Sequence, residues 1–79
     1  MNIYKITNII TGQIYVGKTN KCINERFKQH VSLGRKYKAS LIQKSLREYG
    51  TINHTIELLE ICSENDGFKR EQYWIDSLN

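Results

Sequence analysis

Two β-prone segments flank a glycine near the start of the chain, and they constrain the fold more than any other feature. The first covers residues 2–7 and the second residues 13–17, and both are rich in isoleucine, tyrosine, valine or threonine. Gly12 lies between them and can adopt the positive φ that a tight connection requires. The pattern predicts an antiparallel β-hairpin with residues 8–12 as its connection.

Each strand of this hairpin carries one tyrosine. Pairing about the midpoint of the connection places Tyr4 opposite Tyr15 or Val16. In a suitable register the two phenols are close neighbours on the sheet. Tyrosine is also a common packing residue in strands, so either ring taken alone is most simply a core aromatic.

The segment after the hairpin has the apolar spacing of an amphipathic helix. Thr19 or Asn20 is predicted to cap this helix, which runs to about Ser32. Its predicted apolar face consists of Cys22, Ile23, Phe27 and Val31.

The rest of the chain alternates between helix-like, strand-like and turn-like patterns. In chain order these are a loop over residues 33–38, a helix over 40–49 ended by Gly50, a strand over 54–61, a turn over 63–67 and a helix over 68–78. A small antiparallel sheet needs its apolar face covered, and three helices suffice. We therefore expect an α+β fold, a three-stranded antiparallel sheet flanked by three helices in the order β-β-α-α-β-α.

Positive charge is concentrated in the first part of the chain. Residues 1–47 carry a formal charge of +9, whereas residues 48–79 carry −5. A basic surface of that density attracts a polyanion such as DNA, although a solvated charged surface explains the charge equally well. An anionic membrane fits less well, because the basic residues form no single amphipathic stripe. The predicted nucleic-acid-binding residues are Lys18, Lys28, Arg35, Lys36 and Lys38.

Arg26 and His30 are four positions apart in the first predicted helix and so share one face. A guanidinium fork suits two phosphate oxygens and keeps its charge at all relevant pH values. An imidazole can carry a proton or bind phosphate. Either residue alone is more often incidental, but together they predict a phosphate-handling face.

The complete set of motifs resembles the GIY-YIG nuclease family over nearly the whole chain. The residues that carry the resemblance are Tyr4, Tyr15-Val16-Gly17, Arg26, His30 and Glu71 with Trp74-Ile75 three residues later. The resemblance implies that Tyr4, Tyr15, Arg26 and His30 are catalytic, and that one of the phenols orients or activates the attacking water. It also implies that Glu71 holds a divalent metal, with Mg²⁺ expected and Mn²⁺ able to substitute.

The sequence departs from the family pattern at several positions. Asn2 stands where the first motif usually has glycine, and Val16 replaces an isoleucine. The segment over residues 35–40 contains Tyr37 and Lys38 but not the second histidine of some members. The sequence ends at Asn79, before the asparagine that members often carry downstream. These departures leave a second interpretation open, a catalytically impaired nucleic-acid-binding module of the same fold.

The choice of base between the two phenols rests on the nearest cation. A phenol is a poor base unless a neighbouring positive charge favours its ionised form. Lys18 follows Gly17 directly and is closer in sequence to Tyr15 than to Tyr4. We therefore expect Tyr15 to act as the base.

Taken together, the residues and the family resemblance predict one metal-dependent DNA endonuclease domain over residues 1–79, which can be the N-terminal part of a longer protein. We expect the target address to come from an additional DNA-binding domain outside this chain. Cys22 and Cys62 belong to no C-x-x-C pair, and no signal peptide or membrane span is recognised. We therefore expect a cytoplasmic protein with two reduced thiols and no membrane partner.

Overall fold

The structure is a computed structural model that describes residues 1–34 and 41–78, without the side chains of His30 and residues 32–34. The elements are β1 (Asn2–Asn8), β2 (Ile14–Thr19), α1 (Ile23–Gly34), α2 (Leu41–Tyr49), β3 (His54–Ile61) and α3 (Gly67–Leu78). Short 3-10 helices precede β3 and α3, over Thr51–Asn53 and Glu64–Asp66. The predicted α+β class and the order β-β-α-α-β-α are confirmed. No helix in the described ranges is long and apolar enough to cross a membrane.

The three strands form one antiparallel sheet in the order β2-β1-β3, so β1 is central. One face of the sheet carries Tyr4 and Ile6, both nearly completely buried. Ile42 and Leu46 of α2 complete the buried cluster on this face. The partly buried residues that pack against the cluster are Tyr15, Ile23, Phe27, Val31 and Ile56. Helices α1 and α2 therefore cover this face.

Helix α3 covers the opposite face, mainly over β2. Ile3, which alternates with Tyr4 along β1, is fully buried there. Lys18 and Glu60 lie on the same face of the sheet. They form hydrogen bonds with Glu71 and Arg70 of α3. Because β2 is an edge strand, side chains from both faces can meet around its edge.

The register of the hairpin differs from the prediction. Tyr4 pairs with Gly17, and Tyr15 pairs with Ile6. The reason is the connection, in which the Asn8 amide donates to the Gln13 carbonyl at 2.9 Å, leaving a four-residue loop between them. The predicted pairing of Tyr4 with Tyr15 or Val16 was wrong, but both tyrosines still project from the same face.

Helix α1 begins later than predicted, because neither Thr19 nor Asn20 caps it. Thr19 stays in β2, and its hydroxyl accepts from the Lys21 amide at 3.0 Å. The Asn2 side chain donates to the Lys21 carbonyl at 2.9 Å and holds that residue outside the helix. The helix also continues past Ser32 to Gly34, and residues 35–38 of the predicted loop lie outside the described residues. Cys22 is exposed rather than part of the apolar face, and it is free, like Cys62.

A buried polar network fixes the far end of the sheet. The Asn8 side-chain amide donates to the Ser45 hydroxyl at 2.9 Å, and that hydroxyl lies 2.8 Å from His54 Nε2. His54 Nδ1 lies 2.7 Å from the Gly50 carbonyl, so the ring donates there and accepts from Ser45. Gly50 has φ 81° and follows the last residue of α2, which confirms its predicted role as helix stop.

Candidate active site

The ring of Tyr4 crosses the neighbouring strand at Gly17. A Cβ built at Gly17 would overlap the hydroxyl and Cζ of Tyr4, and its Cε2 would be 3.0 Å away. Tyr4 is only 3% exposed. The glycine of the second motif therefore makes the space that the phenol of the first motif occupies.

Arg26 extends from α1 to the same place. Its guanidinium interacts with the Tyr4 hydroxyl and acts to lower the pKa of that phenol. Its Nη1 also donates to Gln29 Oε1 at 3.1 Å, one turn along the helix. The guanidinium is thus held by a strand residue and by its own helix. Sequence reasoning did not identify Gln29, although the three-residue spacing is that of helix neighbours.

Burial and charge act on the Tyr4 phenol in opposite directions. Loss of hydration raises its pKa above the ordinary value of 10.0 and is the largest effect. The hydrogen bond and the positive charge of Arg26 lower this pKa, and the negative charge of Glu71 raises it. The effect of burial is the larger one, so the pKa of Tyr4 stays above its ordinary value and the phenol is neutral at neutral pH.

Glu71 reaches the site from α3 on the other face of the sheet. Lys18 Nζ donates to its Oε1 at 3.4 Å, and the two side chains are 35% and 21% exposed. The Lys18 ammonium also lies 5.4 Å from the centroid of the Phe68 ring. Since Glu71 affects the pKa of Tyr4, Glu71, Tyr4 and Arg26 belong to one electrostatic cluster at the edge of β2.

The expected proximity of Lys18 to Tyr15 is wrong. Residues three apart on a strand point to opposite faces, and Lys18 is paired with Glu71. Tyr15 instead packs against the buried cluster on the α1–α2 face. It also contributes to an apolar cleft of about 400 Å³ that reaches round the edge of β2. The other residues of that cleft are Ile14, Val16, Leu41, Ile42, Ile75 and Leu78.

A second polar cluster anchors α3 beside Glu71. Arg70 Nε donates to both carboxylate oxygens of Glu60 at 2.9 Å, and its Nη2 lies 2.8 Å from Oε1. Trp74 Nε1 donates to the same Oε1 at 2.9 Å. The bond from Arg70, followed by that from Trp74, lowers the pKa of Glu60. These bonds fix the rotation of α3, and with it the direction of Glu71, and no sequence pattern identified Glu60 as the partner.

The remaining predicted site residues divide into two groups. Lys28 is exposed on α1, and the backbone of His30 is one turn after Arg26, with its side chain outside the described part. Arg35, Lys36 and Lys38, together with Tyr37, lie outside the described residues.

The donor set suits a hard divalent cation held by one carboxylate. No three His, Cys, Asp or Glu side chains within residues 1–34 and 41–78 gather into a metal cage. Mg²⁺ commonly keeps several waters and takes one or two carboxylates plus substrate phosphate oxygens. Glu71 is partly exposed, so it can provide one such ligand while water and substrate supply the others.

Comparison with known proteins gives a consistent result. The family profile of the GIY-YIG catalytic domain matches residues 1–79. The chain is similar to a glutamate-to-alanine mutant of the catalytic domain of the intron endonuclease I-TevI, with 30% identity and a TM-score of 0.82. That similarity covers 100% of this chain and 86% of the other. A second structure of the catalytic domain of the homing endonuclease I-TevI is 26% identical with a TM-score of 0.80, covering 100% and 89% of the two chains. No curated protein matches the sequence.

Proposed function

The chain belongs to the GIY-YIG family of nuclease catalytic domains, and from this we propose that it is a metal-dependent endonuclease that hydrolyses phosphodiester bonds in DNA. One observation carries the proposal. The Arg26 guanidinium and the Glu71 carboxylate both act on the pKa of the Tyr4 hydroxyl, and the Glu71 side chain is partly exposed. A cation, a phenol and a carboxylate able to hold a metal can together stabilise the charge at phosphorus, hold the attacking water and assist the leaving oxygen.

Arg26 is proposed to bind the scissile phosphate. Its contacts with Tyr4 and Gln29 fix the guanidinium before substrate arrives. A fixed positive charge stabilises the charge that develops at phosphorus without reorganisation during the reaction. His30 is proposed to assist from the next turn of α1, as a phosphate ligand or proton carrier.

Tyr4 is proposed as the phenol that orients the attacking water. Tyr15 was expected to be the base because of Lys18, but Lys18 lies on the other face of the sheet. Arg26 is a cation that interacts with the Tyr4 hydroxyl and acts to lower its pKa. As a neutral phenol, Tyr4 holds the water by hydrogen bonding, because burial and, to a smaller degree, the negative charge of Glu71 oppose its ionisation. A divalent cation held by Glu71 would offset that negative charge and stabilise the leaving oxygen.

DNA is proposed as the substrate because of the charge distribution. The formal charge of +9 over residues 1–47 belongs to the part that contains Arg26, Lys18 and Lys28. Lys28 is exposed on α1 and is free to approach a phosphate backbone. We propose that this chain recognises DNA sequence weakly and with relaxed specificity. A separate DNA-binding domain would then select the target site.

A plasmid-nicking assay tests this function directly. Supercoiled plasmid should convert to nicked circles with Mg²⁺ or Mn²⁺ and remain intact with EDTA. DNA binding, measured in parallel by gel shift, should weaken steeply as salt rises because counterions are released on binding. Salt-sensitive binding without nicking in either metal would reject the endonuclease and favour the impaired binding module. Nicking that persists in EDTA would reject the metal dependence.

A further inference from the structure

We propose that Lys18 is a positioning residue that occupies the Glu71 carboxylate in the DNA-free protein, so that metal and DNA bind cooperatively. When DNA binds, the Lys18 ammonium pairs with a phosphate instead of with Glu71. The Glu71 carboxylate is then fully available as a metal ligand. The inference rests on the proposed function, because it takes Glu71 as the metal ligand and DNA as the substrate.

The place of Lys18 is defined by two contacts and by its closeness to Gly67 at the start of α3. Its Nζ lies 3.4 Å from Glu71 Oε1 and 5.4 Å from the centroid of the Phe68 ring. Its Cδ lies 3.5 Å from where a Cβ of Gly67 would be. The stem thus packs against the start of α3, and the ammonium lies between a carboxylate and an aromatic face. These contacts direct Lys18 to Glu71 instead of into solvent.

An ammonium and a divalent cation at one carboxylate repel each other. The repulsion is strongest where the pair is partly shielded from water, and both side chains of this pair are less than half exposed. Arg26 adds further positive charge through the cluster around Tyr4. Metal binding to the free protein is therefore opposed by its own cations.

Bound DNA reverses this balance. A phosphate provides negative charge for Lys18 and Arg26 and oxygen ligands for the metal. Metal and DNA should then each raise the affinity for the other by the same factor, as linkage requires. Coupling of this kind ties completion of the metal site to the presence of substrate.

The chain offers a matched control in Lys5 and Glu57. Lys5 Nζ lies 3.4 Å from Glu57 Oε2, and Lys5 is on the same face of the sheet as Lys18. Lys5 lies on the central strand β1 and Glu57 on β3, whereas Lys18 lies on the edge strand β2. Removing Lys5 changes the net charge as much as removing Lys18 does.

The test measures Mn²⁺ binding to DNA-free protein by electron paramagnetic resonance at low salt, where screening is weak. The variants are Lys18→Met, Lys18→Arg, Lys5→Met and Glu71→Gln. Lys18→Met should bind Mn²⁺ at least roughly fivefold more tightly than the parent, the lower end of typical coupling between sites. Lys18→Arg and Lys5→Met should stay near the parent, and Glu71→Gln should lose the site.

The second readout is DNA affinity by fluorescence anisotropy in Ca²⁺ and in EDTA. The parent should gain more affinity from Ca²⁺ than Lys18→Met does, whereas Lys5→Met should gain as much as the parent. Circular dichroism confirms folding, and Lys18→Gln replaces Lys18→Met if that variant does not fold. If Lys18→Met binds Mn²⁺ no more tightly than the parent while Glu71→Gln does not bind it, this inference alone is overturned. Parent-like Mn²⁺ binding by Glu71→Gln would overturn the metal ligand of the proposed function as well.

Discussion

The hydroxyl end of Tyr4 lies over Gly17, its antiparallel partner on the edge strand. Because Gly17 has no side chain, the phenol extends past the strand toward the edge, where Arg26 and Glu71 influence it. The two tyrosine motifs are therefore one packing unit. The glycine of one motif sets the position of the tyrosine of the other.

Gly17→Ala tests this relationship. The added methyl must displace the Tyr4 ring, so we expect reduced nicking and a loss of roughly 1–3 kcal/mol in the free energy of unfolding, as for an overpacked core. Chemical denaturation and the nicking rate measure the two effects. In a Tyr4→Leu background, Gly17→Ala should cost far less stability because the ring is gone. An equal cost in both backgrounds would show that Gly17 does not act through Tyr4.

Replacing each phenol by phenylalanine separates their roles. Tyr4→Phe should cost roughly 2–4 kcal/mol of transition-state stabilisation, the range for loss of a group that handles the attacking water. Tyr15→Phe should cost less, because Tyr15 packs against the buried cluster and an apolar cleft. Single-turnover nicking rates provide the comparison, and stability should hardly change since both rings remain. A larger rate loss for Tyr15→Phe would reassign the base to Tyr15.

Arg26→Lys tests whether the fork matters beyond its charge. Lysine keeps the positive charge but cannot contact Tyr4, Gln29 and a phosphate together in one plane. We expect a loss of nicking of at least roughly tenfold, with DNA affinity close to that of the parent. Arg47→Lys on the exposed side of α2 is the matched control and should be neutral. Parent-level nicking by Arg26→Lys would reduce the role of Arg26 to a point charge.

The raised pKa of Tyr4 predicts a loss of stability at alkaline pH. The fold favours the neutral phenol, so this contribution is complete below the ordinary pKa of 10.0 and decreases as pH rises toward the higher folded value. Urea unfolding of the parent and of Tyr4→Phe at pH 8–11 should show a steeper decline for the parent above about pH 10. Parallel curves would indicate that Tyr4 is not buried in its neutral form.

The order of elements was predictable because periodicity and glycine positions report local structure. Residues 54–61 were predicted as a strand with the observed bounds, and Gly50 ends α2 as expected. The hairpin register was missed because the Asn8 side chain organises the connection, accepting from the amides of Ile10 and Thr11 at 2.9 and 3.2 Å. A shift of one position in the connection moves every cross-strand pair.

The site predictions that were wrong depended on contacts between residues far apart in the sequence. Lys18 was assigned to Tyr15 by closeness in sequence, whereas its partner Glu71 is 53 positions away. The bond from Asn2 to Lys21 delays α1, and no local pattern reveals a contact over 19 positions. Arg26 and Tyr4 were correctly expected to come together, because the hairpin and the following helix are adjacent in the chain.

The most direct test of the account compares Glu71→Gln with Glu64→Gln in Mg²⁺, measuring plasmid nicking and DNA binding together. Glu64 is exposed in the turn before α3, so its substitution should leave both activities near the parent. Glu71→Gln should abolish nicking while DNA binding stays intact or becomes tighter, since a negative charge near the phosphate is removed. Nicking by Glu71→Gln at the parent rate would contradict the account.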